Sequence, residues 1–292
     1  MKFEKLTLDS IGALRPFFTD NPYRICDCTI GGTFLWRDYH KTEYAIDDGV
    51  LYLKVEHPST AFAPPRGAVT GRKSYERIIE YCGENGVPAR ICSVSATTLK
   101  YILGMFPGSQ AQTDRTWSDY LYSSDDIVNL AGRKFSGQRN HINRFMKAHH
   151  VWSFESITEC NLDVVRSFFE EYAKEHIKDY PAYTEGNVKA LEVLDNWELY
   201  NQSGGVLYVG GEVVGASIGE VVDDTLYIHI EKANADFHGS YPVLVNQYAK
   251  MLVSGPVSYI NREEDDGVEG LRTSKMSYHP VSILDKYMVE LA

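Results

Sequence analysis

Apolar residues recur along this chain in two rhythms, one of period two and one near 3.6, and together they divide it into short strands and amphipathic helices. In the first half, strands are predicted at Phe3–Leu8, Glu43–Ile46, Val50–Val55, Ala89–Val94 and Trp117–Tyr122. Asp47-Asp48-Gly49 joins the second and third as a hairpin, because aspartate and glycine tolerate the left-handed backbone of a tight turn. Helices are predicted at Ser10–Phe18, Ser74–Glu84 and Ala96–Met105. The middle one turns Tyr75, Ile78, Ile79 and Cys82 inward and stops at Asn85-Gly86. The second half opens with strand Trp152–Ile157 and helices Leu162–His176 and Val188–Glu198. A meander of Val206–Val209, Val213–Val222 and Thr225–Ala233 follows. Helix Tyr241–Leu252, strand Val257–Asn261, helix Glu269–Tyr278 and strand Ile283–Val289 complete the chain.

Charge changes this picture more than composition does. At 292 residues and 43% hydrophobic content the chain is long enough for two ordinary domains. The net charge of −11 argues against broad, non-specific binding to nucleic acid or to an anionic membrane. The acids are spread unevenly: none falls between Asp126 and Glu155, where Arg133, Lys134, Arg139, Arg144 and Lys147 lie. Phe135, Ile142, Phe145 and Met146 add an apolar stripe there, so a basic helix from about Gly137 is expected to join the halves. That helix either pairs with acids of its neighbours, forms a cationic wall for a phosphate-bearing ligand, or meets a partner protein. The expected organisation is a first domain over 1–130, the basic linker over 131–150 and a second domain over 151–292. Five cysteines without a CxxC spacing read as reduced thiols. The start lacks the apolar core of a signal peptide, and no window approaches the ~18 apolar residues of a membrane span, so a cytoplasmic location is expected.

The chemistry concentrates in two places. Strand Leu226–Lys232 alternates Tyr227, His229 and Glu231 onto one face. Glu231 is the first choice for a general base and His229 the second, against the alternatives of an ion pair for Glu231 and a hydrogen-bonded core position for His229. The stretch Tyr259–Pro280 places Asn261, Arg262, Glu263, Glu264 and Asp265 at a strand end, then Arg272, Lys275 and Tyr278 at helical spacing. Strand ends of α/β folds are where ligands usually bind, although such a loop also suits plain solvation. The loop Asp236–Pro242 has one glycine, and Pro242 removes a donor amide near the helix start, which weakens it as a coenzyme A site; Ser240 reads as the N-cap. No metal-ligand spacing is present, so no metal and no resident cofactor is expected.

The order of elements in the second half, echoed in the first, is that of GNAT acyltransferases. The stretches YLYSSDDIVNLAGRKFSGQRNHINRF, YIHIEKANADFHGSY and YINREEDDGVEGLRTSKMSYHP together resemble the phosphatidylglycerol lysyltransferase C-terminal-domain family, in its stand-alone bacterial branch. The resemblance implies an α+β fold of two tandem GNAT-like domains, with mixed sheets flanked by helices and one cleft between the domains. It also implies transfer of an aminoacyl group from a charged tRNA, to an amine or hydroxyl acceptor of small size here. Arg139, Asn140 and Arg144 would face the cleft from the basic helix, and Glu231, Asn261, Arg262, Glu264, Lys275 and Tyr278 from the second domain. In that scheme Glu231 takes the amine proton and Tyr278 protonates the leaving group. Arg139, Arg144 and Lys275 hold the donor's phosphates, while Glu263, Glu264 and Asp265 recognise a cationic group. The rival readings are an acetyl-CoA N-acetyltransferase and a non-catalytic GNAT-like module that binds a small ligand.

Overall fold

Fourteen strands order the chain as β1 (Glu4–Lys5), β2 (Glu43–Asp47), β3 (Val50–Val55), β4 (Ala61–Phe62), β5 (Arg90–Ser95), β6 (Gln110–Thr113), β7 (Asp119–Ser123), β8 (Trp152–Ser156), β9 (Ser203–Val209), β10 (Glu212–Val222), β11 (Thr225–Ala233), β12 (Tyr259–Asn261), β13 (Ser282–Leu284) and β14 (Lys286–Glu290) among the described residues. The structure is a computed structural model that describes residues 1–175, 181–253 and 257–292, with the backbone alone for 181–185. Contacts divide the chain into two units. The first holds Met1–Asp119, Glu264–Val268 and Ile283–Ala292, and the second Tyr120–Glu263 and Glu269–Ser282. This differs from the expected split at 130 and 150, for two reasons. The basic helix, Ser136–Ala148, lies inside the second unit, and the last strand returns to the first.

In the first unit the sheet order is β1-β2-β3-β4-β5-β14-β6. The β2–β3 hairpin turns through Asp48 and Gly49, at φ 55° and 74°, as their composition predicts. β4 and β5 run parallel, joined by the helix Arg72–Asn85. That helix buries Tyr75, Ile78 and Cys82 against Tyr52, Phe62, Ile91, Val94, Ile102 and Val289. Each large apolar side chain so buried contributes about 1.5–3 kcal/mol before entropy is counted. The register of β5 against β14 slips between Tyr287 and Val289, and Ser93 takes φ 52° there, a bulge that re-aims its side chain. The predicted strand Ile283–Val289 is two strands in different sheets, because Lys286 and Val289 are buried in the first unit. β6 was not expected at all: its Gln-Ala-Gln-Thr sequence is exposed and carries no apolar rhythm.

In the second unit the order is β13-β7-β12-β11-β10-β9-β8. The β9–β10–β11 meander is antiparallel, and β12 pairs parallel to β11. β11 bulges at His229, which has no partner between the pairs Ile218–Ile230 and Gly219–Ile228, and a Cβ on Gly219 would lie 2.0 Å from the carbonyl oxygen of Tyr227. The helix Ser240–Leu252 packs on β9–β11 and buries Val243, Leu244, Tyr248 and Ala249. Its N-cap is Gly239, while Ser240 instead donates its hydroxyl to the carbonyl of Asn234. The helix Leu162–Glu175 buries Val165, Phe168, Phe169 and Tyr172, as its periodicity predicts; His176 lies outside the described residues. The expected helix Val188–Glu198 begins earlier, at Pro181, and breaks at Asn196 before Trp197–Tyr200.

Candidate active site

In the second unit, β11 and the carboxyl end of β12 bring together most of the predicted residues. Arg262 is buried and donates from Nη2 to Glu231 Oε1 at 2.6 Å. Its guanidinium carbon sits 4.9 Å from the ring centre of Tyr278 and 5.9 Å from that of Tyr122. Burial pushes the phenols of Tyr278 and Tyr122 up, against the opposing pull of Arg262, so both remain neutral hydroxyls at neutral pH. The Glu231–Arg262 pair leaves two atoms over. Glu231 Oε2 and Arg262 Nη1 are buried and have no hydrogen-bond partner among the described residues. A third such atom is Ser217 Oγ, on β10 directly across the ladder from Glu231. Leaving polar atoms like these unmet typically costs about 1–3 kcal/mol each, more when charged. An acceptor, a donor and a hydroxyl left unmet side by side are the groups that a bound polar molecule or water would satisfy.

His229 lies beside this set with its side chain fully buried, Nδ1 at 2.7 Å from Glu263 and Nε2 at 2.9 Å from Glu220. Burial alone would lower its pKa, but the two hydrogen-bonded carboxylates raise it to about 10. His229 is therefore an imidazolium at neutral pH and offers no basic nitrogen. The expectation that it could serve as a second base is corrected by Glu220, which strand alternation within β11 does not bring into view. Asn261 accepts from the amide of Glu263 at 2.6 Å and shapes the loop. Lys275 donates to the main-chain carbonyls of Arg262 and Glu263, at 2.5 and 3.2 Å. Arg139 likewise donates to the carbonyls of Leu130 and Gly132, the latter at 2.6 Å. Those two cations serve the backbone, whereas Asn140 and Arg144 are exposed on the helix, with Arg144 Nη1 3.4 Å from His238 Nε2.

Glu264 and Asp265 belong to the first unit, which the sequence did not suggest. Asp265 is buried, accepts from the amide of Gly267 at 2.9 Å and lies 3.8 Å from Arg115. Glu264 joins a cluster around Lys286, whose Nζ is 2.5 Å from Asp27, 2.8 Å from Asp119, 3.4 Å from Glu264 and 3.3 Å from Cys26 Sγ. Burial raises Asp119 to about 7, with Lys286 opposing. Burial also works on Asp27, yet Lys286 and the Ser93 hydroxyl at 2.5 Å hold it down at about 2. Burial pushes the Cys26 thiol well up, so it stays protonated. Cys26, Asp119 and Glu264 are close enough to ligate one cation, but the Lys286 ammonium already lies within 3.4 Å of an atom of each. Both Glu264 and Asp265 are thus committed to neighbours rather than open for recognition of a cationic group. Lys286, beside the apolar run Tyr287–Val289 of the last strand, was the available signal for this cluster.

Comparison with known proteins follows the same lines. A conserved protein of unknown function from Bacteroides thetaiotaomicron shares 28% identity over the full length of both chains, with a TM-score of 0.92. A C-terminal domain assigned to lysylphosphatidylglycerol synthetase in Agrobacterium fabrum superposes with a TM-score of 0.71 at 14% identity, over 97% of this chain and 91% of its own. An uncharacterised protein of Mycoplasmoides gallisepticum is 24% identical over 179 residues, which are 60% of this chain and 56% of that one, so the chain spans about half the length of this curated relative. The two mixed sheets with flanking helices make the α+β arrangement expected from the sequence, and among the described residues no helix is long and apolar enough to cross a membrane. Residues 22–290 match the family model described as phosphatidylglycerol lysyltransferase, C-terminal, and the chain belongs to that family.

Proposed function

We propose that the second unit transfers an aminoacyl group from the 3′ end of a charged tRNA to an amine or hydroxyl acceptor. The observation that carries this reading is the trio of open buried atoms, Glu231 Oε2, Arg262 Nη1 and Ser217 Oγ. An aminoacyl ester presents a carbonyl oxygen and an amino group a few ångströms apart. Arg262 Nη1 would donate to the carbonyl oxygen and stabilise the charge that develops there, and Ser217 Oγ would hold the amino group. The acceptor's nitrogen or oxygen attacks the carbonyl carbon and passes its proton to Glu231 Oε2. The bond to the ribose oxygen breaks, and that oxygen takes a proton from the Tyr278 hydroxyl; Glu231 then gives up its proton to solvent and Tyr278 regains one, so both return to their starting forms. Arg144 remains available for a donor phosphate. Coenzyme A suits the second unit less well. The loop before the helix Ser240–Leu252 is closed against the basic helix, where a Cβ on Gly239 would lie 2.5 Å from the His141 carbonyl oxygen.

The test is calorimetric titration of the protein with an aminoacyl-adenosine 3′-amide, a stable stand-in for the acylated tRNA end. Saturable binding to wild type is expected, weakened at least ~10-fold in Glu231→Gln and in Arg262→Lys, or about 1.4 kcal/mol each. Ser217→Ala should weaken binding less. Transfer of label from aminoacyl-tRNA to hydroxylamine should then fall in the same variants. Binding of acetyl-CoA in place of the amide sinks the reading, and binding without transfer to any acceptor leaves a ligand-binding module.

A further inference from the structure

The first unit contains a cavity of about 980 Å³ whose lining comes from residues 16–28, 49, 64–75 and 93–105. Its size is at the upper end of what small-molecule sites occupy. Phe17, Tyr23, Tyr75 and Tyr101 give it rigid aromatic walls. Arg66 is the only base among the lining residues. Its guanidinium lies 4.8 Å from the ring centre of Phe18, and Nη1 reaches only the carbonyls of Phe17 and Cys28, each at 3.4 Å. No carboxylate among the described residues pairs with Arg66. The single lining acid, Asp20, is exposed to solvent, where its charge is screened. A half-buried cation facing a cavity without a counter-charge is an arrangement that an anionic ligand completes.

A second part of the lining supports the same sign of charge. Thr70 and Gly71 line the cavity, and Gly71 is the N-cap of the helix Arg72–Asn85, with no side chain capping its free amides. The first turn of that helix has no acid and instead carries Arg72 and Lys73. Arg72 is paired with Glu76 at 2.7 Å, whereas Lys73 opposes the helix dipole, and a bound anion offsets both that charge and the dipole. We propose that this cavity is a nucleotide site, with the phosphates between Arg66 and the start of that helix and the base against the exposed rings of Tyr23 and Tyr101. A guanidinium together with the free amides of a helix start fits a diphosphate better than a single phosphate. Flat, rigid walls favour a planar base over a flexible acyl chain. The site lies wholly in the first unit, so it stands apart from the aminoacyl-transfer reading.

Adenosine diphosphate, inorganic pyrophosphate and glycerol 1-phosphate are the probes, titrated calorimetrically into the full chain. Wild type should bind adenosine diphosphate with a Kd below about 1 mM, and pyrophosphate more weakly. Gly71→Asp is the discriminating variant. Nothing lies within 4 Å of a Cβ at Gly71, and its φ of 178° suits any residue. The new acid caps the helix, so the unfolding midpoint should hold or rise, while nucleotide binding falls at least tenfold. Arg66→Ala should weaken binding to the same degree, and Tyr101→Ala should weaken adenosine diphosphate but leave pyrophosphate unchanged. The proposal is overturned if Gly71→Asp binds like wild type, if no probe binds below about 1 mM, or if glycerol 1-phosphate binds as tightly as the nucleotide.

Discussion

His229 shows how a single residue changes meaning once its partners are known. On sequence it is a strand histidine beside a carboxylate; in the fold it is an imidazolium clamped between Glu220 and Glu263. Its folded pKa, about 10, stands above the ordinary value near 6.5. The stabilisation from its proton is therefore complete below pH ~6.5 and is lost as pH rises through 10. The unfolding midpoint should accordingly fall between pH 7 and 10, and His229→Gln should flatten that slope in scanning calorimetry. Parallel slopes for the two proteins would show that another group titrates. Glu231 and Arg262 were singled out in the sequence because charged residues at a strand end stand out, and Tyr278 because it falls at helical spacing from Lys275. Ser217 was not, since a small hydroxyl within an apolar strand resembles any packing residue, and only its position opposite Glu231 gives it a role.

At the level of elements, the bulge in β11 positions the site. The extra residue is His229 itself, which breaks the alternation of β11, so Ser217 stays opposite Glu231 on one side of the slip while His229 reaches Glu220 on the other. Gly219 permits the slip, because any side chain there meets backbone rather than a movable neighbour. Gly219→Ala should destabilise the fold by about 1–3 kcal/mol in urea titration, and should weaken aminoacyl-amide binding as well. Unchanged stability would mean that the strand can shift without loss. The basic helix was legible as an element but not in its use. Phe145 and Ile142 are buried as the stripe predicts, yet Arg139 secures the chain segment that precedes the helix.

Across the whole molecule, the route of the chain matters more than any contiguous boundary. The first unit is assembled from three segments, and β14 lies between β5 and β6 in its sheet. A fragment of residues 1–130 lacks β14, so β6 has no strand to pair with, Val289 is lost from the core, and without Lys286 the carboxylates of Asp27 and Asp119 lose the cation they share. Removing one member of a buried charged set costs about 3–5 kcal/mol, a large part of the stability of a small domain. That fragment should give the circular dichroism of an unfolded chain, and residues 282–292 joined through a short linker should restore the fold. A stably folded 1–130 would refute the argument.

The sequence by itself determined the local elements: the hairpin through Asp48-Gly49, the β9–β10–β11 meander, the helices with their buried faces, and the family through its long motifs. These follow from periodicity and turn chemistry, which act between neighbours along the chain. Only the tertiary structure decided that the last apolar run splits between two sheets, that Glu264 and Asp265 part company with Glu263, and that Arg139 and Lys275 bind backbone carbonyls. Each of those outcomes depends on a partner distant in sequence. A charged side chain announces that it needs a partner, but nothing in its own neighbourhood says which one the fold will supply.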